Sequence, residues 1–213
     1  MVRMSVVLAA ACLCVGFAAG AEEKPTSPAD VPAGPQPNIG TINDWIVSSN
    51  DAKIRDGMMY LDALNTKDAV YAFRKDKAFR DTKLTVQFKL DPVGTGERSV
   101  GLIFGSTDGQ TYHSVKVDRS SVILYEHRVG QPPRELARRG GFTKPDGNWY
   151  EARVETSGPQ IKVFFDDRFL FAFNSPQLQP GYVGVYANAG RAWVRRLDAD
   201  GTPARLPQVW RPR

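Results

Sequence analysis

One stretch constrains the fold more than any other. Residues 148–173 read Asn-Trp-Tyr-Glu-Ala-Arg-Val-Glu-Thr-Ser-Gly-Pro-Gln-Ile-Lys-Val-Phe-Phe-Asp-Asp-Arg-Phe-Leu-Phe-Ala-Phe. Tyr150, Ala152 and Val154 alternate with Glu151, Arg153 and Glu155. After Ser157-Gly158-Pro159 the pattern resumes with Ile161, Val163 and Phe165, and after Asp166-Asp167-Arg168 with Phe169, Phe171 and Phe173. A period of two is what a pleated strand imposes when one face is buried, and short polar turns between such runs are the hairpin signature.

The same pattern recurs along the chain. Leu84, Val86, Phe88 and Leu90 alternate with Thr85, Gln87 and Lys89. Residues 45–47, 58–64, 69–73, 100–104, 111–117, 121–128, 182–187 and 191–197 read as further strands, and 130–141 as a basic loop. Turn signals such as Asp56-Gly57, Asp108-Gly109, Asp118-Arg119-Ser120 and Asn188-Ala189-Gly190 separate them. No stretch holds a helical period through three turns. The expected fold is all-β, an antiparallel two-sheet β-sandwich, with a closed barrel as the alternative.

The ends read differently. Residues 1–21, with Arg3, an apolar run and Ala19-Gly20-Ala21, form a secretory signal peptide; a lipidated Cys12 is the competing reading. Residues 22–38 form a linker with five prolines, too poor in apolar surface to offset the cost of ordering it. Residues 39–200 form the sandwich, and 201–213 a basic, proline-containing tail. Cys12 and Cys14 both lie in the signal peptide, so the exported chain is expected to hold itself without disulfides. No transmembrane helix is expected in the mature chain.

Several motifs in fixed order resemble a known superfamily. Val100-Gly101-Leu102-Ile103-Phe104 followed by Thr111-Tyr112-His113-Ser114-Val115-Lys116-Val117-Asp118 is similar to a strand pair of concanavalin A-like lectin/glucanase domains. Gly147-Asn148-Trp149-Tyr150 and Gly181-Tyr182-Val183-Gly184 resemble later strands of the same jelly roll. Trp45, Asp56-Gly57 and residues 78–84 make the domain of exported 3-keto-disaccharide hydrolases the nearest resemblance. It implies a jelly-roll sandwich and either saccharide binding or hydrolase/lyase action on 3-keto-glycosides. Fold alone does not choose between these.

The residues narrow the chemistry. Retaining glucanases need two carboxylates about 5–5.5 Å apart. The Glu-x-Asp-x-x-Glu strand that supplies them in that superfamily is absent. Glu151 and Glu155 share a face but lie about 13 Å apart along a strand. If Arg119-Ser120 is a two-residue turn, Tyr112 opposes His127 and His113 opposes Glu126; a Glu126/His127 acid–base site is then the catalytic alternative. The favoured site is a saccharide surface of Tyr112, Tyr125 and His127 with Arg153, because sugars stack on aromatic rings while polar groups hold their hydroxyls. Trp149, Tyr186, Trp193 and Asn188 are further candidates. No metal site is expected, although Asp198-Ala199-Asp200-Gly201 and Asp166-Asp167 offer oxygens for calcium. The formal charge of +5 suits acidic glycans better than nucleic acid in an exported protein. A structural module of the cell envelope is the third reading.

Intact-mass analysis of the exported protein should give a chain beginning near Glu22 without lipid. A diacylglyceryl mass on Cys12 would replace this reading with a membrane anchor.

Overall fold

The computed structural model describes residues 36–206 other than Thr95, Thr143 and Pro145. The expected signal peptide, most of the expected linker and the end of the expected tail lie outside the described residues. Among the described residues, apart from one short 3-10 turn, Ile42–Asp44, the regular structure consists of thirteen strands.

Two antiparallel sheets share one strand. Sheet one runs β1 (Trp45–Val47), the first half of β4 (Val70–Leu90), β12 (Gly181–Asn188), β5 (Ser99–Ser106), β6 (Tyr112–Val117), β7 (Ser121–His127) and β8 (Arg134–Gly140). Sheet two runs β11 (Arg168–Asn174), β10 (Gln160–Phe165), β9 (Trp149–Ser157), the second half of β4, β13 (Arg191–Pro203), β3 (Met58–Asp62) and β2 (Ala52–Arg55). The path does not close into a barrel.

The period-two pattern decides what is buried. Leu84, Val86, Phe88, Val154, Ile161 and Val163 of sheet two meet Val100, Leu102, Phe104, Val115, Val117, Val183 and Val185 of sheet one in one core. The central meander forms as read, with a bulge between Val163 and Phe164. That bulge takes Phe169 out of the alternation and leaves it 58% exposed, while Leu170, Phe171 and Phe173 still pack on the core.

Four readings of the sequence are corrected. The strands expected at 69–73 and 83–90 are one strand, β4. The charged residues 74–77 between them sit where β12 skips register, and Lys75 and Asp76 face solvent at this corner. The basic loop at 130–141 contains β8, an edge strand whose two half-buried residues, Leu136 and Ala137, are adjacent, so it carries no period-two signal. Strand β2, only four residues long, was not legible. Gly201-Thr202-Pro203, expected in the tail, completes β13; Gly201 lies opposite Thr82, where a Cβ would come within 1.8 Å of the Asp81 carbonyl oxygen.

The hairpin β6–β7 has the expected register: Tyr112 opposes His127 and His113 opposes Glu126. Asp118 sets it. Its carboxylate accepts the N–H groups of Ser120 (2.9 Å) and Ser121 (2.7 Å) and the Ser121 hydroxyl (2.7 Å), the local turn chemistry for which aspartate is favoured. Burial pushes the Asp118 carboxyl up, but these hydrogen bonds and Lys116 outweigh it and hold it below its ordinary range.

Phe165 is 6% exposed, stacks on Tyr150 at 5.6 Å and meets Phe142 at 6.1 Å. Phe165→Ala should therefore cost about 3–5 kcal/mol in denaturant melts; a loss below about 1 kcal/mol would place this ring outside the core.

Candidate functional site

The site is built on the side of sheet one that faces away from the core. Alternate residues there are Tyr71 and Phe73 of β4, Tyr182 and Tyr186 of β12, Ile103 of β5, Tyr112 and Ser114 of β6, and Tyr125 and His127 of β7. Phe73, Ile103, Tyr112, Tyr182 and Tyr186 make a second apolar cluster, packed under Ile46, Ala69 and Leu206. Gly101 is needed beneath it: a Cβ there would lie 1.9 Å from the Tyr186 ring, so only glycine lets that ring lie flat on the sheet.

Loops raise walls around this face. A cleft of about 630 Å³ is bounded by Ser48, Asp51, Lys67, Tyr71, Tyr112 and His127, among others. It adjoins a second cavity of about 500 Å³ bounded by Lys67, Tyr71, Lys116, Tyr125, Tyr186 and Asn188. Tyr71 and His127 border both. The rings interlock: Tyr112 stacks on His127 at 4.2 Å, Tyr125 lies 6.1 Å from His127, and Tyr71 lies 5.6 Å from Tyr186. The Tyr112 hydroxyl donates to that of Tyr71 at 3.4 Å.

Three of the four expected ligand-binding residues, Tyr112, Tyr125 and His127, are thus brought together, with Tyr186 and Asn188 beside them. Tyr112 is not the open platform expected of it. At 5% exposure it is the floor of the cleft, and burial pushes its hydroxyl pKa well above the ordinary range. Tyr71, which the sequence did not single out, is the half-buried ring at the cleft border; its place in a short run before the charged corner of β4 masked it.

Arg153 lies elsewhere. It is on β9 in sheet two, opposite Phe164 and Thr85, ion-paired with Glu155 and stacked over the Phe164 ring at 3.9 Å. Trp149 and Trp193 are also on sheet two. The correction has one cause: β4 crosses between sheets, so β9 pairs with the half of β4 that leaves sheet one.

The catalytic alternative is altered too. Glu126 and His127 are neighbours on one strand, so their side chains leave from opposite faces, although both reach a cavity of about 180 Å³ at the strand end, with His113. Glu126 is 4% exposed and held by Arg128 (2.8 Å) and Arg134 (2.9 Å). Burial raises its carboxyl pKa, but the two arginines outweigh that and keep it a carboxylate below its usual range. Such a group is a poor proton acceptor at neutral pH. His113 is hydrogen-bonded to Ser175 Oγ at 2.8 Å and His127 to Ser114 Oγ at 2.9 Å. Burial lowers both imidazoles to about 4, aided at His127 by His113.

Asp166 and Asp167, with φ of 45° and 59°, form the β10–β11 turn, and Asp166 accepts the Glu151 N–H at 2.9 Å. Asp198 and Asp200 lie within β13 and not in a turn; Asp198 pairs with Arg196 at 2.5 Å. Among the described residues no three His, Cys, Asp or Glu side chains are grouped to hold a metal ion, and no helix is long and apolar enough to cross a membrane.

The fold is that of the concanavalin A-like lectin and glycosidase sandwiches. It is similar to the carbohydrate-binding module CBM66 from Bacillus subtilis, at 12% identity over 74% of this chain and 96% of that one, with a TM-score of 0.65. It is also similar to the carbohydrate recognition domain of Emp46p, at 10% identity over 76% and 90%, with a TM-score of 0.58. Residues 36–198 match the 3-keto-alpha-glucoside-1,2-lyase-like domain, and the chain belongs to that family. A search of the curated proteins finds no match.

The two histidines make stability depend on acid. Both are neutral in the fold and ordinary, near 6.5, when unfolded. Below about pH 6.5 the unfolded chain takes up protons that the fold refuses, so stability falls until about pH 4. Urea midpoints should drop between about pH 7 and about pH 4.5, where most carboxylates still stay charged, and His113→Gln should flatten that slope. An unchanged slope in the variant would show that His113 is not held neutral.

Proposed function

We propose that this is an exported domain that binds a saccharide in the cleft on sheet one, without glucanase activity. One observation carries the reading: half-buried rings of Tyr71, Tyr125 and His127 border cavities of about 630 and 500 Å³, whose walls supply hydroxyl, amide and charged groups. That is the mixture of apolar faces and a few polar groups by which clefts of this size hold small ligands. The carbohydrate-binding neighbours support it, as does the absence of the Glu-x-Asp-x-x-Glu strand.

Lyase action on a 3-keto-glycoside is the second reading. It is supported by the family and by a neutral His127 on the cleft border, hydrogen-bonded to Ser114. The base that takes a proton next to a ketone must reach the cleft: His127 borders it, whereas Glu126 leaves from the other face of β7 and is tied to Arg128 and Arg134.

A glycan array combined with a product assay that includes 3-keto-glycosides separates the readings. Under the first, Tyr125→Ala lowers affinity roughly tenfold, a typical ring-contact loss, while its denaturant midpoint stays near wild type. Turnover of the keto sugar, abolished in His127→Gln, would overturn the first reading in favour of the second. Neither binding nor turnover would remove both and leave a structural module.

A further inference from the structure

The opposite face of the sandwich carries an ordered row of side chains that neither reading uses. On the outer side of sheet two, strand register places Lys53 opposite Tyr60, Tyr60 opposite Trp193, Trp193 opposite Lys89, and Lys89 opposite Trp149. The row crosses β2, β3, β13, β4 and β9. Tyr60 and Trp193 are in contact at 4.7 Å. Lys89 Nζ sits between the two tryptophans, 5.5 Å from Trp149 and 5.6 Å from Trp193. Arg195 covers the Trp149 ring at 4.5 Å and Arg55 covers Tyr60 at 4.3 Å.

The charges of this row are unbalanced. Among the described residues Lys53, Arg55, Lys89 and Arg195 have no carboxylate within ion-pair distance. The nearby acids are engaged otherwise. Asp62 accepts from Arg191 and the Tyr60 hydroxyl, Asp91 from the Trp193 indole, and Glu151 from the Gln87 amide. Asp91 and Glu151 have only neutral donors and keep their charge, so the four cations of the row outnumber its uncompensated carboxylates by two.

We propose that this face is a second binding surface, for a linear polysaccharide bearing carboxylates, independent of the cleft on sheet one. Trp149 and Trp193 are two strands apart, about 10 Å, close to the length of two sugar units of an extended chain. Sugar units then lie over the capped row, held by their carboxylates on Lys89 and Arg195 and not by ring stacking, and Arg55 and Lys53 continue the track. Single-stranded nucleic acid fits less well, because it stacks its bases on open ring faces, which cations cover here, whereas a carboxylate-bearing chain needs only the cations themselves. A membrane surface fits less well too: among the described residues the large exposed apolar ones are Ile42, Val129 and Phe169, none of them in this row. Occupation of both faces would let one domain bridge two glycans.

Affinity electrophoresis and calorimetry with polygalacturonate, and with its methyl ester as the neutral counterpart, test this. The acid form should bind, weaken as salt rises, and lose about tenfold in affinity in Lys89→Gln/Arg195→Gln, the sum of two modest charge contacts. The ester should bind more weakly than the acid. Arg138→Gln/Arg139→Gln, which removes the same charge from β8, should keep the affinity. Should the first variant fail to fold, Arg55→Gln/Arg195→Gln replaces it. Equal binding of acid and ester, equal loss in both double variants, or retention of single-stranded DNA or anionic phosphatidylserine vesicles without polygalacturonate would each overturn the proposal.

Discussion

The hydrogen bonding of one strand to both sheets is the constraint on which this structure depends. Strand β4 gives its first half to β1 and β12 and its second half to β9 and β13. At the crossing, the Thr82 N–H donates to Thr156 Oγ1 at 2.8 Å and the Thr82 hydroxyl to the Asp200 carbonyl at 3.1 Å. Buried backbone groups must find partners wherever a strand leaves its sheet, and these two bonds, with the side-chain-free Gly201 beside them, satisfy that need. The two sheets are held in one relative position, and every outward side chain is assigned to one face or the other.

The cleft follows from that assignment. Outer faces of antiparallel sheets normally meet water, yet on sheet one the outer face carries its own apolar cluster. Tyr186 can lie down because residue 101 is glycine, Tyr112 is pressed between Tyr71 and His127, and the loops after β1 and β3 close over the edge. A face with both buried rings and polar walls is what a ligand cleft requires. The same packing strips water from His113 and His127 and keeps both neutral, which links the site to the stability of the domain.

Sheet two treats its aromatics differently. Tyr60, Trp193 and Trp149 stand in register across neighbouring strands and are capped by lysine and arginine instead of by loops. Cross-strand pairs of this kind stabilise a sheet by a few tenths to about 1 kcal/mol each, so the row strengthens the sheet whether or not it is occupied. The two outer faces thus offer two distinct chemistries on opposite sides of one core.

The sequence by itself determined the strands of the meander, the core positions of β4, β9 and β10, the all-β class and the β6–β7 register. Each is set by short-range patterning: a period of two, or an aspartate that closes its own turn. It also brought Tyr112, Tyr125 and His127 to one face, because the register of one hairpin is a local fact. Tertiary structure alone decided that Arg153, Trp149 and Trp193 belong to the other sheet, that Tyr71 joins the cleft, and that Tyr112 is its floor. Those depend on where β4 crosses and on which loops fold over which face. No alternation pattern records that, since period two tells inside from outside on one strand but not which sheet the strand joins.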